Sequence, residues 1–106
     1  MLSPFFLIVL LEEYDLNPGS SCKQNYDPIT SNWTDCKEAA ESLGYSGDAV
    51  GHVSYEYPWG ATRPQGCFFG GSSRFHFNKG AGGSFVGTDQ ILCRKSDEGK
   101  TVVILI

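Results

Sequence analysis

Basic residues are few in this chain, and they are scattered. Eight Lys and Arg stand against twelve Asp and Glu, a formal net charge of −4, and no segment gathers the cations into a stripe. That excludes the clustered positive surface with which nucleic-acid binders neutralise phosphates. Long apolar runs are lacking too. The longest, Phe5-Phe6-Leu7-Ile8-Val9-Leu10-Leu11, is far short of the roughly 20 residues a helix needs to span a bilayer, so no membrane span is expected. No two cysteines have C-x-x-C spacing, and His52 and His76 stand at no ligand-like spacing from any cysteine, which argues against structural zinc. There is no D-x-D-x-D-G loop around Asp27 or Asp48 to hold calcium. No nucleophile elbow surrounds Ser72 and Ser73 near His76, and nothing places Asp48, Glu56, Glu12 or Glu13 as paired carboxylates across a cleft. The chain therefore reads as non-enzymatic, without metal or cofactor.

What the chain does contain is turn chemistry, aromatics and an even number of cysteines. Its 106 residues hold 13 Gly and 13% aromatics, the composition of one small, β-rich domain. Such a domain buries a limited core and gains much from covalent staples. Cys22, Cys36, Cys67 and Cys93 allow three disulfide connectivities. Element order favours Cys36–Cys67, pinning a helix to the sheet, and Cys22–Cys93, joining the two ends of the module. Asn32-Trp33-Thr34 is an N-x-T sequon. Together with the cysteines it points to the secretory route, an extracellular or cell-surface location and a glycan on Asn32.

One helix is expected over residues 35–43. Cys36, Ala39, Ala40 and Leu43 recur at helical spacing, Thr34 or Asp35 is placed to cap, Glu38 completes a capping box with Asp35, and Gly44 ends the helix. Residues 50–57 alternate as a strand until Pro58. Cys67-Phe68-Phe69 and Arg74-Phe75-His76-Phe77-Asn78 flank Gly70-Gly71-Ser72-Ser73 as a hairpin, and residues 90–94 supply another strand. The expected fold is α+β: a small antiparallel β-sheet with one short helix docked on it, disulfide-stapled, with apolar terminal strands. Three segments result: an N-terminal apolar strand or tail over 1–16, the stapled module over 17–95, and a C-terminal strand or tail over 96–106.

Within that module, Cys22, Pro28-Ile29-Thr30 and Asp35-Cys36-Lys37-Glu38-Ala39-Ala40 with Leu43-Gly44 resemble the front half of a cysteine module of algal and other protist proteins. Its back half is similar to Arg63-Pro64-Gln65-Gly66-Cys67-Phe68, Phe75-His76-Phe77-Asn78 and Ile91-Leu92-Cys93-Arg94. The resemblance covers residues 14–95. It implies an extracellular module of unknown function and supplies no catalytic residues. The arrangement of a helix docked by a disulfide on a small sheet is also similar, at the level of fold, to apple-type modules.

The tails lie outside that resemblance. Residues 1–11 have no basic n-region and no A-x-A-like site, and Glu12 and Glu13 follow them, so they read as a structural segment, with a signal peptide as the alternative. Both apolar runs read as strands that need burial, either paired with each other or inserted into a neighbour. The preferred function is a structural subunit of an extracellular, filament- or polymer-forming assembly. Copies of the chain are then its partners, with Phe5, Phe6, Leu7, Ile8, Val9, Leu10 and Leu11 as a donated strand. The alternative is a monomeric adhesion or glycan-binding module using Tyr55, Tyr57, Trp59 and Arg63. Against that alternative, Tyr55 and Tyr57 would serve equally well as core residues of their own strand.

Overall fold

A computed structural model describes residues 7–51, 56–57, 59–70, 73–97 and 102–105. Its helix, α1 (Trp33–Ser42), starts two residues earlier than the apolar spacing predicts. Asn32 is the cap: its backbone is extended, and its side-chain oxygen accepts from the Asp35 amide at 2.8 Å. Thr34 and Asp35, expected as caps, lie inside the first turn. There the Asp35 carboxylate accepts from the Ser31 hydroxyl, close to the positive end of the helix. Asn is among the strongest capping residues, as is Asp, and the observed start gives the role to Asn32. At the other end Gly44 (φ +97°) donates to the Glu41 carbonyl at 2.9 Å, and Tyr45 to that of Ala40 at 3.2 Å. These two bonds form the paired closure in which a left-handed glycine ends a helix.

The main sheet runs β2 (Tyr14–Pro18), β7 (Gln90–Lys95), β5 (Gly66–Gly70), β6 (Arg74–Asn78), β4 (Glu56–Tyr57), with β3 (Tyr26–Pro28) paired to the far end of β7. Its pairings are antiparallel except at the edge, where the two residues of β4 run parallel to β6. The hairpin expected in the middle of the chain is present, with Phe69 opposite Phe75 and Cys67 opposite Phe77. The boundary expected between residues 16 and 17 falls inside β2. Of the strand expected over 50–57, residues 52–55 lie outside the described residues.

Period-two alternation gives the sheet two different faces. Cys67, Phe75, Phe77 and Leu92 form the core under α1, where they meet Cys36, Ala39 and Ala40. Phe68 and Ile91, opposite each other on β5 and β7, belong to the other face and are equally buried. Each disulfide ties a different part of this arrangement. Cys36–Cys67 joins α1 to β5, and Cys22–Cys93 joins the loop after β2 to β7. Gly66 permits the closest backbone approach. It has φ +77°, and a Cβ there would lie 2.2 Å from the Ile29 carbonyl oxygen, the same oxygen that accepts from the Cys67 amide at 2.9 Å.

Beyond β2 and β7 the same two chain segments pair again. β1 (Leu7–Leu10) and β8 (Val102–Leu105) form a separate antiparallel two-stranded sheet, with Ile8 opposite Ile104 and Val9 opposite Val103. Lys95 closes the junction, donating its amide to the Glu13 carbonyl at 2.8 Å and holding the Glu13 carboxylate with its ammonium at 3.0 Å.

Removing the helix-to-sheet staple tests how much the small core supplies unaided. In the chain-entropy model a loop of 31 residues contributes about 3.7 kcal/mol. Cys36→Ala with Cys67→Ala is therefore expected to lower the unfolding free energy by about 3–4 kcal/mol in urea melts. A loss below about 1 kcal/mol would show that the disulfide adds little.

Candidate binding groove

Of the four surface residues singled out in the sequence, the structure brings two together. Trp59 and Arg63 meet across the loop between β4 and β5, on the face of the sheet opposite α1. Tyr57 lies in β4, paired with Asn78, and Tyr55 lies outside the described residues. Phe5 and Phe6 also lie outside them. Leu7, Ile8, Val9 and Leu10 make up β1, and Leu11 follows it, 44% exposed.

Asn78 holds the Trp59–Arg63 loop in place. It ends β6 at 1% exposure, and its amide satisfies five backbone groups. The side-chain nitrogen donates to the carbonyls of Gly60 (2.9 Å), Pro64 (3.1 Å) and Arg63 (3.3 Å). The side-chain oxygen accepts from the amides of Gly80 (2.8 Å) and Trp59 (3.0 Å). An irregular loop buries its own polar backbone at a cost, and one asparagine here offsets it for two loops at once.

Asp89 is the second anchor, and no motif in the sequence marks it. Its side chain is 1% exposed and receives the Arg63 guanidinium in a fork, Nε to Oδ2 at 2.6 Å and Nη2 to Oδ1 at 2.8 Å. Oδ2 also accepts from the Val86 amide at 3.0 Å, while the Asp89 amide donates to the Val86 carbonyl at 3.1 Å, closing a turn with Gly87 at φ +56°. The Asp89 carbonyl in turn accepts from the Gly19 amide at 3.0 Å. The only local signal was turn chemistry in Val86-Gly87-Thr88-Asp89; the partner that matters, Arg63, is 26 residues away.

The aromatic groups pack against this ion pair. The Arg63 guanidinium lies 4.9 Å from the Phe68 ring centre and 6.0 Å from that of Trp59. Trp59 meets Phe68 edge-on at 5.5 Å and His76 at 5.0 Å. His76 is thus half-buried among aromatic rings. Burial, followed by the charge of Arg63, holds its pKa below the usual 6.5, Asp89 opposing and Arg74 adding to the effect. Trp59, Arg63, His76, Val86, Thr88 and Asp89 line a cavity of about 500 Å³. A second cavity of about 520 Å³ lies across the turn at Gly87, walled by Phe85, Ser20, Ser21, Thr88 and Gln90.

Among the described residues, no three His, Cys, Asp or Glu side chains converge as metal ligands, and no helix is long and apolar enough to cross a membrane. What the groove offers is aromatic surface beside an internally neutralised ion pair. The chain matches no protein-family model, no curated protein and no solved structure.

Asn78→Asp keeps the shape and the acceptor oxygen but removes the donor to three carbonyls and buries a charge. It is expected to cost at least about 3 kcal/mol in denaturant melts, and a loss under about 1 kcal/mol would refute the anchoring role. His76 gives a pH test. Its folded pKa is depressed, so its contribution to stability is complete above the unfolded value of 6.5 and is lost as pH falls through the lower folded value. The His76 ring-proton NMR titration should have a midpoint below 6.5, and His76→Phe should flatten the stability profile across that interval. A midpoint at or above 6.5 would contradict this.

Proposed function

We propose that the chain is a non-enzymatic subunit of an extracellular, self-assembling surface structure, and that its copies associate through the β1–β8 ladder. The observation that carries this reading is the ladder's composition. All eight of its residues are apolar, from Leu7 to Leu10 and from Val102 to Leu105. A strand pair that is apolar at every position has no polar face to give to water, and an isolated two-stranded ribbon is marginally stable at best.

The ladder also reshapes the strand-donation idea. β1 is paired along one edge by its own chain, so donation of β1 alone is not needed to satisfy it. Among the described residues β1 and β8 make a sheet of only two strands, leaving each with one backbone edge outside it. Copies joined through like edges would close as dimers. Copies joined through unlike edges would extend as filaments. Placement outside the cell is supported by the two disulfides, which persist in oxidising compartments. It is supported further by Asn32, exposed at the start of α1. The helix uses its side-chain oxygen, which an N-linked glycan leaves in place.

The test introduces opposite charges at one facing pair, Ile8→Glu with Ile104→Lys, which favours the ladder internally and makes it polar. The unmodified chain is expected to sediment as dimers or larger species, visible as filaments in micrographs if the contact is heterologous. The double variant is expected to sediment as a monomer with an unchanged melting temperature. A monomeric unmodified chain at hundreds of micromolar, or oligomers indifferent to the double substitution, would sink the proposal.

A further inference from the structure

We infer that the cavity beside Phe85 is a binding site for a neutral saccharide, with the Phe85 ring as the platform for a pyranose. Phe85 is 50% exposed and its neighbour Val86 56%, an unusual pair of apolar residues at the tip of a glycine-rich loop. The ring is nevertheless positioned by its surroundings. It lies against Gly19, where an added Cβ would be 3.3 Å from its Cε1, and the Gly19 amide is held by the Asp89 carbonyl. One side of the ring thus rests on backbone, and the cavity lies beside it. A half-exposed aromatic ring that is already positioned loses little freedom when a ligand stacks on it.

The remaining walls determine the class of ligand. Ser21, Thr88 and Gln90 contribute hydroxyl and amide groups able both to donate and to accept, as sugar hydroxyls require, and the Ser20 hydroxyl, which donates to the Gly83 carbonyl at 3.5 Å, adds an acceptor. The one ionised group at the wall, Asp89, is 1% exposed with both carboxylate oxygens engaged by Arg63 and Val86. No unpaired charge lines the cavity to attract an anion or a cation. Apolar C–H faces flanked by neutral hydroxyls are the surface that aromatic and amide walls complement, and a neutral pyranose presents both. At about 520 Å³ the cavity falls within the usual range for small-molecule sites, and its neighbour of about 500 Å³ across the Gly87 turn extends the groove toward Trp59.

The inference is independent of ladder-mediated assembly and survives if that fails. The intact chain is applied to an array of neutral and acidic glycans, and affinities for cello-, manno- and galacto-oligosaccharides are then measured by titration calorimetry. Binding is expected to at least one neutral oligosaccharide. Phe85→Ala should weaken it by roughly tenfold or more without lowering the melting temperature, since the ring is half outside the fold, and Phe85→Trp should retain it. Gln90→Ala should weaken it to a smaller degree. Any of three results overturns the inference: binding to no neutral glycan, binding confined to acidic glycans, or neutral-glycan binding unchanged in Phe85→Ala.

Discussion

The main sheet has two faces to cover, and the described residues supply a single ten-residue α-helix with which to cover them. α1 takes one face, fastened by Cys36–Cys67 and by the small side chains of Ala39 and Ala40 that let it sit close. The other face falls to irregular chain, residues 59–65 and 79–89. Irregular chain carries unpaired backbone donors and acceptors into the interior, and these need partners there. Asn78 and Asp89 provide them, one through a neutral amide and one through a carboxylate. Because separate anchors fasten the loops, seams remain at the Gly87 turn, and the groove occupies those seams.

The Arg63–Asp89 pair shows how such an anchor is balanced. A buried carboxylate is costly to desolvate, and a single attraction rarely compensates for it. Here the geometry is forked, a backbone amide supplies a further bond, and the guanidinium packs over Phe68. The fork fixes Arg63, in the loop after β4, against the turn before β7. It also leaves the groove electrically quiet, although it contains one of the chain's few arginines.

Local features of the fold were legible in the sequence; features made by distant contacts were not. Helical spacing of Cys36, Ala39 and Ala40 identified α1, because that pattern depends on the element's own geometry. The cysteine pairing is the exception among distant contacts: element order favoured it without excluding the other two connectivities. The helix start was misplaced because Asn32, Thr34 and Asp35 are all competent caps and only packing chooses among them. β3 escaped notice since its three residues end at Pro28 and pair through contacts with the far end of β7. Trp59 and Arg63 drew attention by residue type. Asp89 and Phe85 did not, because the importance of each arises from a partner far along the chain, Arg63 for one and Gly19 for the other.

The position of Cys22–Cys93 has a mechanical consequence. β1 with β8, and then β2 with β7, form successive antiparallel pairs, and the outer ends of both chain segments lie at the ladder. Tension applied there opens hydrogen bonds one after another instead of shearing them together. On the C-terminal side only β8 and the last residues of β7 peel away before the pull reaches Cys93, and on the N-terminal side peeling ends at Cys22. From that point the load passes through a covalent bond, and residues 23–92, with α1, the β5–β6 hairpin and the Asn78 and Asp89 anchors, bear none of it. Under strain the ladder is a fuse and the disulfide a stop.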